Sequence, residues 1–423
     1  MYGAAFTNPV DFLKMFFGLG NNNAYFDQTY YDKMNHWYRS HASYYNDNHT
    51  IIRFNTAVMF FSTGFFTIHT IVMCFLSTIG LVGIYKFFVN AESRTNKLLL
   101  ILLFLSPSLL FWASGVLKEG LVIFGLGMML WNLKAWLERK TTANLAGVVF
   151  SILLLAATKY YVLSVALPGI LALVVCNKFP TKSPLLIFSS SYLFALVLFF
   201  GIGKISTKID PASDLANKQK DFILLAQGGI YLEAKSNLAT DTIFVPSAQY
   251  ARIIKSAKGK LNLDSVKAIQ FYKMGKLSSI KPNTLKSSTI ALRALLDNGI
   301  THSRLDIPRI DGTLISYIKA TPKALFNSIC QPINPEKNPF YWLAFLENIV
   351  YLVLAVYFLI QIKNVGSLLH SSLFIFSLLF VISLLLLTGF TTPVIGALVR
   401  YKVPALPLIM GLLTFLNNRT AKA

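Results

Sequence analysis

Charge is scarce in this sequence. Of its 423 residues only 13% are charged and 54% are hydrophobic, whereas charged residues usually make up about a quarter of a soluble domain. A water-soluble fold of this length has too little interior to hide so much apolar surface, so composition excludes the soluble globular class. Acids are the scarcest group: 18 Asp and Glu face 39 Lys and Arg, a formal net charge of +21. The excess sits in loops between apolar runs and forms no basic stripe or recognition motif. That argues against nucleic acid as partner and for phosphates on lipids. There are three cysteines, Cys74, Cys176 and Cys330, with no CxxC pair, which leaves neither a disulfide framework nor a zinc spacing. HExxH is missing as well. No cofactor is expected, and the acids and histidines of the N-terminal stretch (His36, His41, His49) give only a weak divalent-metal signal. Nor does a secretory signal open the chain, since Met1-Tyr-Gly-Ala-Ala-Phe lacks a basic region followed by an apolar one.

What is present is a series of long apolar runs, at 66–88, 98–113, 120–136, 145–157, 162–176, 184–202, 341–362, 368–387 and 404–416. Runs near twenty residues cross a bilayer, and shorter ones are accommodated by snorkelling lysines or local thinning. The expected fold is all-α and integral to the membrane, with about nine transmembrane helices. The segment 51–64, broken by Arg53 and Asn55, reads as a helix in the interface. The domains follow: 1–65, an external N-terminal segment; 66–203, a first bundle; 204–340, an inserted, mainly helical external domain; 341–423, a C-terminal bundle.

Orientation is set by lysine and arginine in short loops. Lys86, Arg94 and Lys97; Lys134, Arg139 and Lys140; Lys178 and Lys182; Lys363; and Arg419 and Lys422 are separated by even numbers of the expected spans. They define one face, the cytoplasmic one, which also carries the C-terminus. The opposite face receives the N-terminal segment, 115–119, 159–161, the large loop and 389–402. A long loop crosses regardless of its charge.

Ionisable groups at membrane depth are the first candidates for function. Lys118 and Glu119 are either a cavity-lining pair or a helix-start pair, with Glu119 favoured by the helix dipole. Lys159, beside Tyr160 and Tyr161, is either a site residue or a cation snorkelling at a hairpin turn. Glu347 and Asn348 fall inside an apolar run, as a site or as glue between helices. Arg400, Tyr401 and Lys402 follow a Gly- and Pro-bearing stretch and suit either a phosphate clamp or a headgroup anchor. In the N-terminal segment Asp27, Asp32 and Asp47 are candidate general bases, Asp47 foremost because polar groups crowd around it.

Three segments together resemble a known group: Pro107-Ser-x-x-Phe-Trp-x-Ser-Gly-x-x-Lys-Glu119, Leu346-Glu-Asn348 and Arg400-Tyr-Lys-x-Pro-x-x-Pro407. The combination is similar to a family of bacterial multi-pass inner-membrane proteins. These in turn look like C-type glycosyltransferases, the polyprenyl-phosphate-sugar-dependent enzymes of the protein mannosyltransferase and aminoarabinose transferase kind. The resemblance implies a helix bundle with its site on the periplasmic face, and a lipid-linked sugar donor whose phosphate is held by Arg400, Lys402 and Lys118. It further implies an acid in the first external loop acting as base on a glycan, lipid or protein acceptor. The chain departs from that family in showing no N-terminal transmembrane helix followed by an acidic motif. Either Asp27, Asp32 or Asp47 takes that role, or the segment is absent and with it the activity. Other readings are a polysaccharide polymerase, a transporter component and a non-catalytic membrane scaffold.

The orientation is open to direct measurement. With Cys330 replaced by Ser, a membrane-impermeant thiol reagent is expected to modify Ser279→Cys in intact cells and to spare Arg139→Cys. The reverse pattern would invert the topology.

Overall fold

The computed structural model describes residues 1–19, 23–34, 48–89, 96–206, 209–227, 229–235, 240–246, 269–273, 276–280, 291–298, 303–333, 339–360 and 365–421. The chain divides into two compact units. The first comprises Met1–Ser191, Ile349–Val381 and Val403–Ala423, and the second Tyr192–Asn348 and Ile382–Lys402.

Among the described residues seven helices are long and apolar enough to cross a membrane: Phe66–Phe88, Lys118–Arg139, Thr142–Lys178, Pro184–Ile205, Tyr341–Ile360, Ser372–Thr391 and Ile395–Leu416. Asn96–Leu105 and Pro107–Ser114, bent by 52° at their junction, make an eighth if the pair counts as one span. The membrane class read from composition therefore stands, and among the described residues seven or eight candidate spans are present where about nine were expected. The difference lies at Lys159. The runs 145–157 and 162–176, expected as two spans around a hairpin turn, form two helical halves of the stretch Thr142–Lys178 that meet at a kink, where Lys159 adopts φ −145° and ψ 83°, and they count here as one candidate span. Straight, its 37 residues would measure about 55 Å, well beyond a hydrocarbon core of about 30 Å.

In the first unit the Phe66–Phe88 and Lys118–Arg139 helices touch backbone to backbone. A Cβ added at Gly127 would collide with the Gly80 carbonyl, and one at Gly80 with the Ile123 carbonyl. Such crossings suit lipid, where helix association rests on close packing of small residues rather than on water exclusion. At the far end of the crossing Lys134 donates to the carbonyls of Lys86, Phe87 and Val89 at 3.3, 3.0 and 3.2 Å. It thereby satisfies carbonyls that a helix C-terminus leaves without donors. Against the other side of Lys118–Arg139 lies Thr142–Lys178, with Gly147 facing Asn132 and Gly125 facing Leu155.

The second unit contains most of the segment expected to be a mainly helical domain. Helices Pro211–Gln227 and Leu314–Cys330 are present. Between them run five strands: β1 Gly229–Lys235, β2 Thr240–Pro246, β3 Ile269–Lys273, β4 Lys276–Ile280 and β5 Ala291–Asn298. β1 is flanked by β2 and β5 in an antiparallel three-stranded sheet, and β3 pairs with β4. The core of the unit gathers Ala212, Ala216, Ile310, Tyr317, Ala320, Ala324 and Phe390. Gln219, fully buried, ties three segments there. Its Nε2 donates to the carbonyls of Pro308 and Phe390 at 2.8 and 2.7 Å, and its Oε1 accepts from the Ile310 amide at 2.9 Å. Ser303, Arg304 and Leu305 pair with 393–395 as an isolated antiparallel bridge. The helix Leu314–Cys330 packs so tightly on 382–391 that a Cβ at Gly389 would strike the Ala324 carbonyl.

The glycine crossing predicts opposite effects of one substitution at two sites. Gly127→Ala overpacks the contact and is expected to cost about 1–3 kcal/mol. Gly201→Ala has open space and is expected to stabilise its helix by up to about 1 kcal/mol. Thermal unfolding of both variants in detergent checks the pair; equal behaviour would mean that the two helices do not meet at Gly127.

Candidate functional site

Two buried lysines organise the polar interior, one in each unit. The first belongs to the Pro107–Glu119 segment. Ser106 caps the helix Pro107–Ser114, its Oγ accepting from the Leu109 amide at 3.3 Å, with Pro107 in the first turn. The chain then runs extended at Gly115 and Leu117 before Lys118 starts the next helix. Glu119 lies in that helix's first turn, yet it is 0% exposed. Lys159 Nζ donates to its Oε1 at 2.6 Å. Lys159, at the helix break, is buried too; it does not snorkel. Two residues before the break, the Ala157 carbonyl accepts from Thr50 Oγ1 at 2.5 Å. Non-helical backbone at membrane depth is tolerated where protein buries it, and here a hydroxyl from another helix meets it.

The second lysine joins two of the sequence motifs. Lys402, 3% exposed, donates from Nζ to Asn348 Oδ1 at 2.8 Å and to the Gln331 carbonyl at 3.2 Å. Asn348 Nδ2 donates to the same Gln331 carbonyl at 2.8 Å, and Glu347, itself buried, acts on Lys402 electrostatically. The Arg-Tyr-Lys and Leu-Glu-Asn segments thus meet at the end of the large loop. Arg400 and Tyr401 are half-buried in the last turn of Ile395–Tyr401, and Lys118 is half-buried beside Glu119.

The proposed bases fare differently. Asp47, with His36 and His41, lies outside the described residues. Asp32 falls in the short turn Tyr31–Lys33, its side chain outside the description. Asp27 is half-buried in the first turn of Ala24–Thr29. Among the described residues of the N-terminal segment the buried acid is Asp11, which sequence reading passed over. It is 6% exposed and accepts from Asn8 Nδ2, Tyr25 Oη and Tyr30 Oη at 2.8, 2.8 and 3.0 Å. The hydrogen bond to Asp11 pushes the Tyr25 phenol up. Burial, then the same partner, pushes Tyr30 up to about 12. Asn8-Pro9-x-Asp11, a helix-start pattern with Asn8 as N-cap, was the available signal.

A second passed-over group is Ser62, His69 and Asn55. Asn55 Nδ2 donates to the Ile51 carbonyl at 2.9 Å, which turns its Oδ1 to His69 Nδ1 at 2.8 Å. That assigns the proton to Nδ1 and leaves Nε2 to accept from Ser62 Oγ at 2.9 Å. The order is that of a nucleophile, a base and an orienting amide, but Ser62 is fully buried, so the trio works as a corner brace. A shallow cavity of about 280 Å³, lined by Arg309, Asp311, Thr313, Ser316 and Lys319 among others, opens at the start of Leu314–Cys330 and contains none of the sequence candidates. Among the described residues no three His, Cys, Asp or Glu side chains are grouped to hold a metal. No protein family, curated protein or solved structure matches the chain.

The Glu119–Lys159 pair gives a sharp stability test. Lys159→Met removes the cation beside a buried carboxylate and is expected to cost about 3–5 kcal/mol. The double variant Glu119→Leu/Lys159→Met is expected to regain most of that loss. Unfolding in detergent closes the cycle, and losses that simply add would show the two groups uncoupled.

Proposed function

We propose that this chain is a membrane glycosyltransferase that moves a sugar from a polyprenyl-phosphate donor to a glycan, lipid or protein acceptor on the periplasmic face of a bacterial inner membrane. The observation that supports this reading is the Lys402 cluster. It binds together the Arg-Tyr-Lys segment, the Leu-Glu-Asn segment and Gln331 at the end of the large loop, and the first two carry the resemblance to polyprenyl-phosphate-dependent enzymes. Lys402 gives two donors to that cluster and acts in this reading as a positioning residue. Arg400, two residues earlier and half-buried, is the residue whose planar fork suits a phosphate. In the reaction a carboxylate removes the proton of the acceptor hydroxyl, the oxygen attacks the anomeric carbon, and the bond to the carrier phosphate breaks. Arginine neutralises the charge gathering on the departing phosphate.

A second reading, a transporter, is favoured by one observation: two interrupted helices, at Lys159 and at the 52° bend before Pro107. Interrupted helices commonly form transport sites.

Arg400 separates the readings. Under the transferase reading Arg400→Lys keeps the charge but loses the fork, and already weakens binding of a polyprenyl-phosphate analogue to purified protein. Arg400→Ala is expected to lose about 1.5–3 kcal/mol, roughly ten- to hundredfold in affinity. If Arg400→Lys binds the analogue as tightly as wild type, and Arg400→Ala only lowers stability, Arg400 is a headgroup anchor and the phosphate site is gone.

A further inference from the structure

We infer that the N-terminal helical segment, residues 6–17, together with the corner at 60–66, is embedded in bilayer hydrocarbon. The helix Pro9–Phe17 is amphipathic in the sense opposite to a water-facing helix. It buries Asp11 and Met15 and exposes Val10, Leu13 and Phe17, with Phe6 exposed one turn earlier. Phe17 is 69% exposed while Asp11 is 6% exposed. In water that arrangement leaves apolar surface wet and hides a polar group that water would have solvated. In lipid it is the expected one, because an acid at membrane depth turns inward and finds donors. Asp11 has three, from Asn8, Tyr25 and Tyr30. Lys14, exposed on the same helix, is long enough to carry its ammonium to the headgroups.

The apolar face does not stand alone. Phe60, Phe61, Phe65 and Phe66 are exposed around the corner, where Thr63 and Gly64 take positive φ of 48° and 92°. The rings of Tyr2, Phe6 and Phe12 pack on Phe60, with centroids 5.2, 6.2 and 5.6 Å apart. The corner runs directly into Phe66–Phe88, a helix fit to cross the membrane, whose Ile71 and Phe75 carry the exposed row onward. The N-terminal face is therefore continuous with the lipid-facing side of a span, and that continuity identifies the occupant as acyl chains. Arg53 Nε, donating to the Met15 carbonyl at 3.2 Å, and the buried Met15, Phe26 and Tyr31 hold the segment against Asn48–Ser62. The first unit thus carries a monotopic element beside its spans. The segment expected to be a polar external arm becomes a membrane anchor.

The test uses full-length protein with Cys74, Cys176 and Cys330 replaced by Ser, labelled with a fluorophore at Leu13→Cys or Phe61→Cys. Lys182→Cys, in an exposed loop, serves as the water-facing reference. Each is reconstituted in phosphatidylcholine vesicles and quenched either by a nitroxide on the lipid acyl chain or by a water-soluble nitroxide. The labels at 13 and 61 are expected to lose most of their fluorescence to the lipid quencher and little to the aqueous one, with the reverse at 182. Aqueous quenching at 13 and 61 overturns the inference. So does shielding from both quenchers, which would mean that a second copy or another protein covers the face. In parallel, unmodified wild-type protein is photolabelled by a diazirine on the acyl chain. Adducts are expected within 6–17 as well as on 66–88, and adducts confined to 66–88 overturn the inference without any variant having to fold.

Discussion

A charge held away from water must be matched by an opposite charge or by hydrogen-bond donors close by, and in the first unit this constraint governs a whole group of helices. Glu119 and Lys159 satisfy each other at 2.6 Å, and their meeting depends on backbones set very close together. Gly120, next to Glu119, lies where a Cβ would touch Met73 and the Ala113 carbonyl. The Gly80–Gly127 crossing then fixes the height of Lys118–Arg139 against Phe66–Phe88. Lys159 in turn comes within reach through an interruption of its own helix, and Thr50 meets a carbonyl beside that interruption. Ion pair, glycines and helix break are one solution to one electrostatic problem, because a buried pair repays its desolvation only in good geometry.

Much of the fold was legible because hydropathy and helix length share a cause. The runs 66–88, 120–136 and 184–202 return as helices with nearly those limits. The reading failed where a local pattern has two meanings. Lys159-Tyr160-Tyr161 looks like a wet turn because sequence shows the charge and not its partner forty residues away. Ala291-Leu-Arg-Ala-Leu-Leu296 resembles a helix face, but short apolar runs do not distinguish helix from strand by periodicity. As β5, the segment owes its form to pairing with β1, about sixty residues distant. By contrast Phe222-Ile-Leu-Leu-Ala226 sits in a helix, Pro211–Gln227, as its pattern suggests.

The candidate site was legible by residue type and not by arrangement. Singling out Lys402, Asn348, Glu119 and Lys159 required only that ionisable and amide groups are costly in apolar runs. Their pairing, Lys402 with Asn348 and Lys159 with Glu119, follows from tertiary structure. Asp11 escaped notice for the opposite reason. It stands in a polar, aromatic stretch where an acid looks ordinary, and only the inward turn of its helix sets it apart.

Gln219 concentrates the order of its neighbourhood in one side chain. Its side chain does the work of a peptide group: one donor head serves two carbonyls and one oxygen serves an amide, so an irregular stretch around 308–310 is ordered as though a strand lay beside it. No other side chain fills that role. Glutamate would face two carbonyls with oxygen, asparagine is a carbon too short, and leucine would leave three main-chain groups dry and unsatisfied. Replacing Gln219 therefore removes, in a single change, the partners of three main-chain groups that lie in two separate stretches of the chain.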